Sequence, residues 1–286
     1  MQIETFQQHR DYLFAIAYRM LGTASDADDV LQEAWLRSRS GDEAIENPRG
    51  WLVTVVTRLC LDRLRELKRR REDYIGPWLP EPLLTQPETQ PETRAELAES
   101  VSLAFLTLLE TLNPVERAVY LLRQVFNYDY PEIAAVVEKS ESNCRQLFHR
   151  AQQHVESRKP RFDASPEAQG RMVQAFMQAA GSGDMNAMLA LLKDDVALYS
   201  DGGGKALAAI NPLHGAQTVA SFFMGLAARA PADLRAETAV VNGHLALLLY
   251  EGAGITTVML LESEAGKITT IRVVRNPDKL TRLQSN

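Results

Sequence analysis

The segment DYPEIAAVVEKSESNCRQLFHRA, residues 129–151, decides the fold of the middle of this chain. Asp129 and Glu132 have the spacing of a capping box, and Pro131 stands in the first helical turn, where its missing N–H is tolerated. Ser140 is a favourable N-cap for the helix that follows. Two short capped helices joined by a tight turn predict a helix-turn-helix.

The second helix of this pair has one apolar face and one polar face. Residues at helical spacing predict the buried face: Cys144, Leu147, Phe148 and Ala151. The polar residues then lie on or beside the open face: Ser142, Asn143, Arg145, Gln146, His149 and Arg150. Such side chains read base edges in the major groove or hold phosphates, so they are candidate DNA-binding residues. If the helix pair stood alone, a polar face that is merely solvated would explain these residues better than DNA binding. The other motifs in the chain favour DNA binding instead.

The composition is that of an ordinary globular protein. Hydrophobic residues make up 45% and charged residues 24% of the 286 residues, which indicates two or three compact units rather than a disordered chain. No stretch approaches the roughly 20 uncharged apolar residues of a membrane span, and no signal-peptide core is present, so we expect a cytoplasmic protein with no membrane partner. Cys60 and Cys144 are far apart, which argues against a disulfide framework or a metal site, and no cofactor is implied.

The net charge of −6 does not exclude nucleic acid as a partner, because local charge matters more than the sum. Residues 58–71 contain seven basic residues against Asp62 and Glu66, a local balance of 7 − 2 = +5. The candidate phosphate contacts in this run are Arg58, Arg63, Arg65, Lys68 and Arg69. A solvated helix end explains such a run equally well, and the helix-turn-helix in the same chain favours DNA.

The sequence before and after these motifs divides into further segments. Residues 26–37 predict an amphipathic helix, residues 38–48 a loop, and a long helix starts at Pro48 or Arg49. Residues 74–93 contain five prolines and predict a semi-rigid linker, in which Trp78 and Leu79 are apolar enough to dock on another part of the protein. From residue 165 onward, helices at 166–180, 184–192 and 218–229 precede strands at 237–241, 244–250, 256–262 and 268–274. This order predicts a compact α+β domain.

Four segments of the first 160 residues resemble the extracytoplasmic-function sigma factors of bacterial RNA polymerase. They are DADDVLQEAWLR at 26–37, NPRGWL at 47–52 with TRLCLDRLR at 57–65, LNPVERAVYLL at 112–122, and the helix-turn-helix from Glu132 to Ala151. The resemblance implies a transcription initiation factor that recognises −10 and −35 promoter elements. One departure is Glu138, where the family often has Gly, and the turn geometry is therefore open.

The same resemblance implies partners and site residues. The partners are promoter DNA and core RNA polymerase, through its β′ clamp helices and β flap. The β′ clamp helices would contact Asp26, Asp29, Gln32, Glu33 and Arg37. The loop at 40–47 would lie beside the −10 element, where a base can be captured after unstacking. The implied domains are sigma region two at 1–75, a linker at 76–95, sigma region four at 96–160 and a C-terminal domain at 165–286.

The C-terminal part resembles the sigma-J-like group, which carries a SnoaL-like extension. The segments WLPEPL at 78–83, DGGGK at 201–205 and NPDKL at 276–280 support this. The fold class implied is therefore multidomain, with two all-α sigma domains followed by a cone-shaped α+β domain of the nuclear-transport-factor-like type. Residues with an expected interdomain regulatory role are Trp78, Leu79, Pro80, Asp201, Gly202, Gly203, Gly204, Lys205, Asn276, Pro277 and Asp278.

Some SnoaL-like proteins are cyclases or isomerases, so catalysis has to be weighed. Asp201, His214, His244 and Tyr250 could line a pocket for a small-molecule ligand. No tight acid–base motif is visible, however, and a fold does not establish a function. We therefore expect a regulatory domain rather than an enzyme. Two rival functions are a helix-turn-helix regulator that never joins polymerase and a DNA-binding protein fused to a ligand-binding or catalytic domain.

Overall fold

The computed structural model describes residues 1, 3–39, 45–85, 100–158 and 165–284. Within these residues the chain forms two compact units. The first consists of the described residues up to 73 and from 100 to 158, and the second of those from 74 to 85 and from 165 to 284. The start of the predicted linker therefore groups with the C-terminal domain. None of the helices in the described part of the chain has the length and apolar character needed to cross a membrane.

The N-terminal half of the first unit consists of three helices: α1 Ile3–Leu21, α2 Ala24–Arg39 and α3 Pro48–Glu72. Their apolar stripes form a common core, which includes Leu13, Ile16, Leu31, Leu52 and Val56. The predicted amphipathic helix at 26–37 is confirmed as part of α2, and the long helix from Pro48 is confirmed as α3. The predicted −10 loop at 40–47 lies for the most part outside the described residues.

The other half of the first unit contains the helix-turn-helix. Helices α4 Leu103–Leu109 and α5 Pro114–Tyr120 are followed by a π-helical turn, Leu121–Val125, and by α6 Tyr130–Val137 and α7 Glu141–Glu156. The predicted capping box is confirmed, because Asp129 and Glu132 each accept a hydrogen bond from the other's backbone N–H at 3.0 Å. The predicted N-cap is confirmed too, since the Ser140 hydroxyl accepts from the Asn143 N–H.

The second unit consists of a six-stranded sheet and the helices that pack on it. Its helices are α8 Pro166–Ser182, α9 Met185–Leu191, α10 Ala216–Ala227 and α11 Thr281–Gln284, and its strands are β1 Leu192–Asp201, β2 Leu213–His214, β3 Arg235–Val241, β4 His244–Glu251, β5 Gly254–Glu264 and β6 Lys267–Val274. The strand order is β2-β1-β6-β5-β4-β3, with β1 and β6 parallel. The predicted α+β domain is confirmed.

Strand β1 was not among the predicted strands. Its pairing with β6 shifts register between Leu192 and Ala197. Residues 193–195 are all exposed, so the alternation that marks a strand begins only at Val196 and is too short to be distinctive. Helices α8 to α10 pack on the sheet through a continuous apolar cluster that includes Phe176, Met188 and Phe223. This cluster occupies the space between helices and sheet.

Candidate nucleic-acid interface and linker-binding site

The six polar residues predicted to read DNA are all exposed along α7: Ser142, Asn143, Arg145, Gln146, His149 and Arg150. Cys144, Leu147 and Ala151 are buried on the opposite face, as predicted, and Phe148 is half-buried. Arg145 lies over the Tyr130 ring, 4.4 Å from its centroid, and pairs with Glu141 at 3.1 Å. These contacts orient the guanidinium at the open face of α7, where it can reach a base edge or a phosphate.

Three of the five basic residues predicted on α3 have partners within the first unit. Arg63 donates to Asp26 Oδ1 at 2.6 Å, and this hydrogen bond raises the pKa of Arg63. Arg65 pairs with Asp62 at 2.6 Å on the same helix. Arg58 reaches α6 of the helix-turn-helix. The side chains of Lys68 and Arg69 lie outside the described residues.

The predicted polymerase-binding face of α2 is exposed except at Asp26. Gln32 is exposed, and Glu33 and Arg37 form an exposed ion pair at 3.0 Å. Asp26, by contrast, has only 14% of its side chain exposed, because Arg63 ties it to α3. An ion pair so enclosed holds α2 against α3, so Asp26 contributes to the position of this face rather than to its surface.

Sequence reasoning missed an apolar part of the same face. Leu36 is 51% exposed among the polar residues of α2. A groove of about 360 Å³ between α1 and α2 is lined by Phe6, Gln32 and Trp35, among others. Leu36 stands four residues after Gln32, which is the one signal in the sequence that could have indicated an apolar residue on the polar face.

The two halves of the first unit are joined by buried polar contacts. Arg117, with 3% of its surface exposed, donates to Met20 O at 2.6 Å and to Glu110 at 2.7 Å. Burial lowers the pKa of Arg117 to about 9. Tyr12 contacts Tyr128 through their hydroxyl groups at 3.4 Å. Burial of a guanidinium is costly unless it is hydrogen-bonded, so the bond from Arg117 to Met20 O favours this packing of the halves.

Residues Tyr74–Thr85, which we call the strap, lie along the C-terminal domain. The key anchor is Asp201 at the end of β1, whose carboxylate is completely buried. It accepts hydrogen bonds from the Tyr74 hydroxyl at 2.5 Å, the Leu79 backbone N–H at 2.8 Å and Lys279 Nζ at 2.7 Å. The predicted docking of Trp78 and Leu79 is confirmed, because Lys279 Nζ also lies 4.2 Å from the centre of the Trp78 ring and donates to Leu79 O.

A second anchor holds the far end of the strap at the edge of the sheet. Leu84 bridges Val241 of β3 in antiparallel orientation. Asn242 both accepts from the Leu83 N–H through its side chain and donates to Leu83 O through its backbone, each at 2.8 Å. The strap therefore adds a short stretch of pairing to the edge strand, as peptides do when they bind a free sheet edge.

The DGGGK and NPDKL segments lie together around the first anchor. Gly203 has φ +59°, and a Cβ there would overlap the side-chain amide of Asn276. Asn276 in turn donates to the Tyr74 hydroxyl at 2.9 Å, and Lys205 pairs with Asp278 at 2.5 Å in an exposed position. The structure thus brings together the three segments that the sequence singled out. Burial and the Asp201 hydrogen bond raise the pKa of Tyr74, so its hydroxyl stays a donor.

The four residues considered for catalysis are not gathered in one pocket. Asp201 is enclosed by the strap, His214 is exposed on β2, and His244 and Tyr250 stand at opposite ends of β4. A cavity of about 630 Å³ lies elsewhere, between α8 and strands β3 and β4, and is lined by residues such as Val173 and Met177 but by none of these four.

Comparisons with known proteins find two family models in the first unit and relatives that are similar over nearly the whole chain. Residues 5–70 match the family model "Sigma-70 region 2", and residues 102–155 match "Sigma-70, region 4". The ECF RNA polymerase sigma factor SigJ of Mycobacterium tuberculosis is 37% identical over 98% of this chain and 94% of that protein. A probable ECF sigma factor of the same organism, SigI, is 33% identical over 98% and 95%.

The similarity extends to three dimensions. The crystal structure of Mycobacterium tuberculosis SigJ matches with a TM-score of 0.76 and 34% identity, over 98% of both chains. The match includes the C-terminal domain and the linker as well as the helical part.

Proposed function

This chain belongs to the extracytoplasmic-function RNA polymerase sigma factors, and from that membership we propose how its parts divide the work. It is an alternative sigma factor that directs transcription initiation, with RNA polymerase and promoter DNA as partners. A helix-turn-helix regulator that never joins polymerase is not favoured, because such a regulator has no need of the sigma region two domain. The separate roles of the surfaces are our inference.

We propose that the open face of α7 reads the −35 element and that α3 with the loop before it serves the −10 element. The exposure of all six polar residues of α7 on one capped, well-packed helix supports the first role. The contact of Arg145 with Tyr130 supports it further, because an ordered guanidinium loses less entropy when it binds a base or phosphate. Arg65, Lys68 and Arg69 would supply phosphate contacts without sequence information.

For polymerase, we propose that α2 docks on the β′ clamp helices through Asp29, Gln32, Glu33 and Arg37, with the second helical domain on the β flap. Leu36, one turn after Gln32 on the same helix, joins this surface as an exposed apolar residue. Interfaces of this kind gain most of their stability from a few apolar side chains surrounded by polar ones. Asp26 acts through Arg63 and supports the position of α2.

We infer that the C-terminal domain acts by binding the chain's own linker rather than by catalysis. The observation that carries this is the complete enclosure of Asp201 by the strap and Lys279. A carboxylate held by three donors has no free position for substrate. Because the strap follows α3 in the sequence and precedes the helix-turn-helix domain, a domain that holds the strap sets the path of the connection between the two DNA-binding domains.

Run-off transcription with core polymerase on a pool of genomic promoter fragments tests the proposal. Full-length protein is expected to give discrete starts that depend on it. The variant Asp201→Asn is expected to change the yield at least twofold, whereas Lys205→Ala, which removes an exposed ion pair of the same segment, is expected to match the wild type. Absence of protein-dependent starts would refute the surface assignments, and equal yields from all three proteins would refute the role of the strap.

A further inference from the structure

Arg58 of α3 binds the C-terminal end of α6, the first helix of the helix-turn-helix. Its Nε donates to Val136 O at 3.0 Å and its Nη2 donates to Ala135 O at 2.9 Å. Its Nη1 lies 3.1 Å from the carboxylate of Glu138. All three nitrogens of the guanidinium are therefore engaged with oxygen atoms at one helix end. We call this group of four residues the clasp.

The helix end that Arg58 binds is suited to a cation. The last carbonyl groups of a helix have no partner within it, and the helix dipole gives this end partial negative charge. The oxygens of Ala135, Val136 and Glu138 thus present to Arg58 what a DNA phosphate presents, namely several acceptors and negative charge on one side.

Glu138 is a locally unfavourable choice for its position. It has φ 55° and ψ 48°, the left-handed conformation that disfavours any residue with a Cβ and that glycine adopts freely. A carboxylate at the negative end of a helix is unfavourable as well. The exposed ion pair with Arg58 offsets only part of these costs. Local conflict of this kind is typical of a position with a role in function.

We propose that Arg58 has two mutually exclusive ligands, the C-terminal end of α6 in the free protein and a promoter phosphate in the initiation complex. Glu138 is then a positioning residue that holds Arg58 on α6. A phosphate competes for the same guanidinium, so DNA binding by α3 and release of the helix-turn-helix are coupled. This inference rests on the proposed role of α3 in DNA binding.

Two other contacts between the two halves have a different character. Arg117 with Met20, and Tyr12 with Tyr128, hold the same halves together, but neither pair contains a candidate DNA-binding residue. They stabilise the packing of the two halves against each other without competing with DNA. Arg58 is a candidate DNA-binding residue within such a contact, so promoter DNA can act directly on the packing of the two halves through it.

The decisive variant is Glu138→Gly, tested in the full-length protein with core polymerase. Gly removes the ion pair and also relieves the left-handed strain, so the turn itself becomes more stable and damage to the fold cannot imitate the result. We expect a two- to fivefold tighter apparent Kd for a promoter fragment obtained by run-off screening, which is the range that an exposed ion pair gives. Glu156→Gln removes the same charge from another exposed position of this domain and is expected to change the Kd by less than 1.5-fold, a margin set by the weakness of lone surface charges.

Arg58→Ala and Arg65→Ala form a second matched pair. Each removes one candidate phosphate contact and is expected to lower the salt dependence of binding by about one unit of slope. Arg65 pairs with Asp62 of its own helix, whereas the hydrogen bonds of Arg58 go to α6. Arg58→Ala also opens the clasp, which favours DNA binding. We therefore expect the Kd of Arg58→Ala for the promoter fragment to be two- to fivefold lower than the Kd of Arg65→Ala, in the range of an exposed ion pair.

Spin labels at Gln8→Cys in α1 and Glu156→Cys in α7 report the distance between the halves, since both native cysteines are buried. We expect a single short distance in the wild type and a broader, longer distribution for Glu138→Gly and Arg58→Ala. If Glu138→Gly leaves both distance and Kd unchanged, or if Arg58→Ala and Arg65→Ala weaken binding equally, the inference is wrong. Failure of the wild type to initiate at all would instead reject the proposed function.

Discussion

Replacement of Asp201 by Asn tests the anchor of the strap most directly. The carboxylate is fully buried and accepts hydrogen bonds from Tyr74, from the backbone of Leu79 and from Lys279. Asn keeps the shape and one acceptor oxygen but removes the negative charge and turns an NH₂ group toward donors. Lys279 is left as a buried cation without its counter-ion.

The expected magnitude follows from the burial of the pair. Loss of one partner of a buried ion pair costs about 3–5 kcal/mol, and the oxygen that Asn retains places this change near the lower limit, about 3 kcal/mol. Lys205→Ala removes an ion pair with both side chains more than half exposed, for which we expect less than about 1 kcal/mol. In the double variant Asp201→Asn/Lys279→Met the buried cation is gone as well, so part of the loss is expected to be recovered.

The assay combines urea unfolding with the emission of Trp78, in a background where Trp35 and Trp51 are replaced by Phe. Undocking of the strap exposes the Trp78 ring, shifts its emission to the red and makes the Trp78–Leu79 bond accessible to chymotrypsin. Asp201→Asn is expected to show all three changes, and Lys205→Ala none of them. An Asp201→Asn protein with the unfolding midpoint, emission and cleavage rate of Lys205→Ala would refute the assignment of this carboxylate as the anchor.

Three further predictions concern other contacts. Arg117→Met removes a buried guanidinium that joins the halves of the first unit, so its free energy of unfolding should fall by about 3 kcal/mol in urea titration; a loss under 1 kcal/mol would contradict the role. Gly203→Ala should lose at least about 1 kcal/mol of stability, because Gly203 has a positive φ and a Cβ there would overlap Asn276. Gly181→Ala, at a helical position with open space, should gain up to about 1 kcal/mol. Equal shifts of the two melting temperatures in thermal unfolding would contradict the conformational requirement at Gly203. Leu36→Asp should weaken binding to core polymerase at least tenfold in a fluorescence titration, since a central apolar residue of an interface contributes about 1.4 kcal/mol or more, and unchanged affinity would exclude Leu36 from that surface.

The helix-turn-helix was predictable because its signals are local. The capping box joins Asp129 to Glu132 and the N-cap joins Ser140 to Asn143, so each hydrogen bond lies within one turn. Periodicity then assigned the buried face of α7. The same reasoning failed for β1, because its first part carries three consecutive exposed residues and only a short stretch from Val196 alternates.

Family resemblance found the segments of the linker site but not their pairing. WLPEPL, DGGGK and NPDKL were singled out as interdomain residues, and the structure adds that Asp201 binds the Leu79 backbone, 122 residues away in sequence, together with Lys279. No pattern within a segment encodes which side chain will meet a backbone N–H so distant. That assignment required the strap and the sheet to be in place.

The basic helix shows the same division between sequence and structure. The sequence by itself determined that α3 is a helix with an excess of cations, because composition and periodicity are properties of neighbouring residues. Tertiary structure decided that Arg63 is tied to Asp26 of α2 and that Arg58 binds α6, 77 residues away. Local hydrogen bonds form wherever the right residues are a few positions apart, whereas the partner of a long charged side chain depends on which surfaces the whole packed unit brings within its reach.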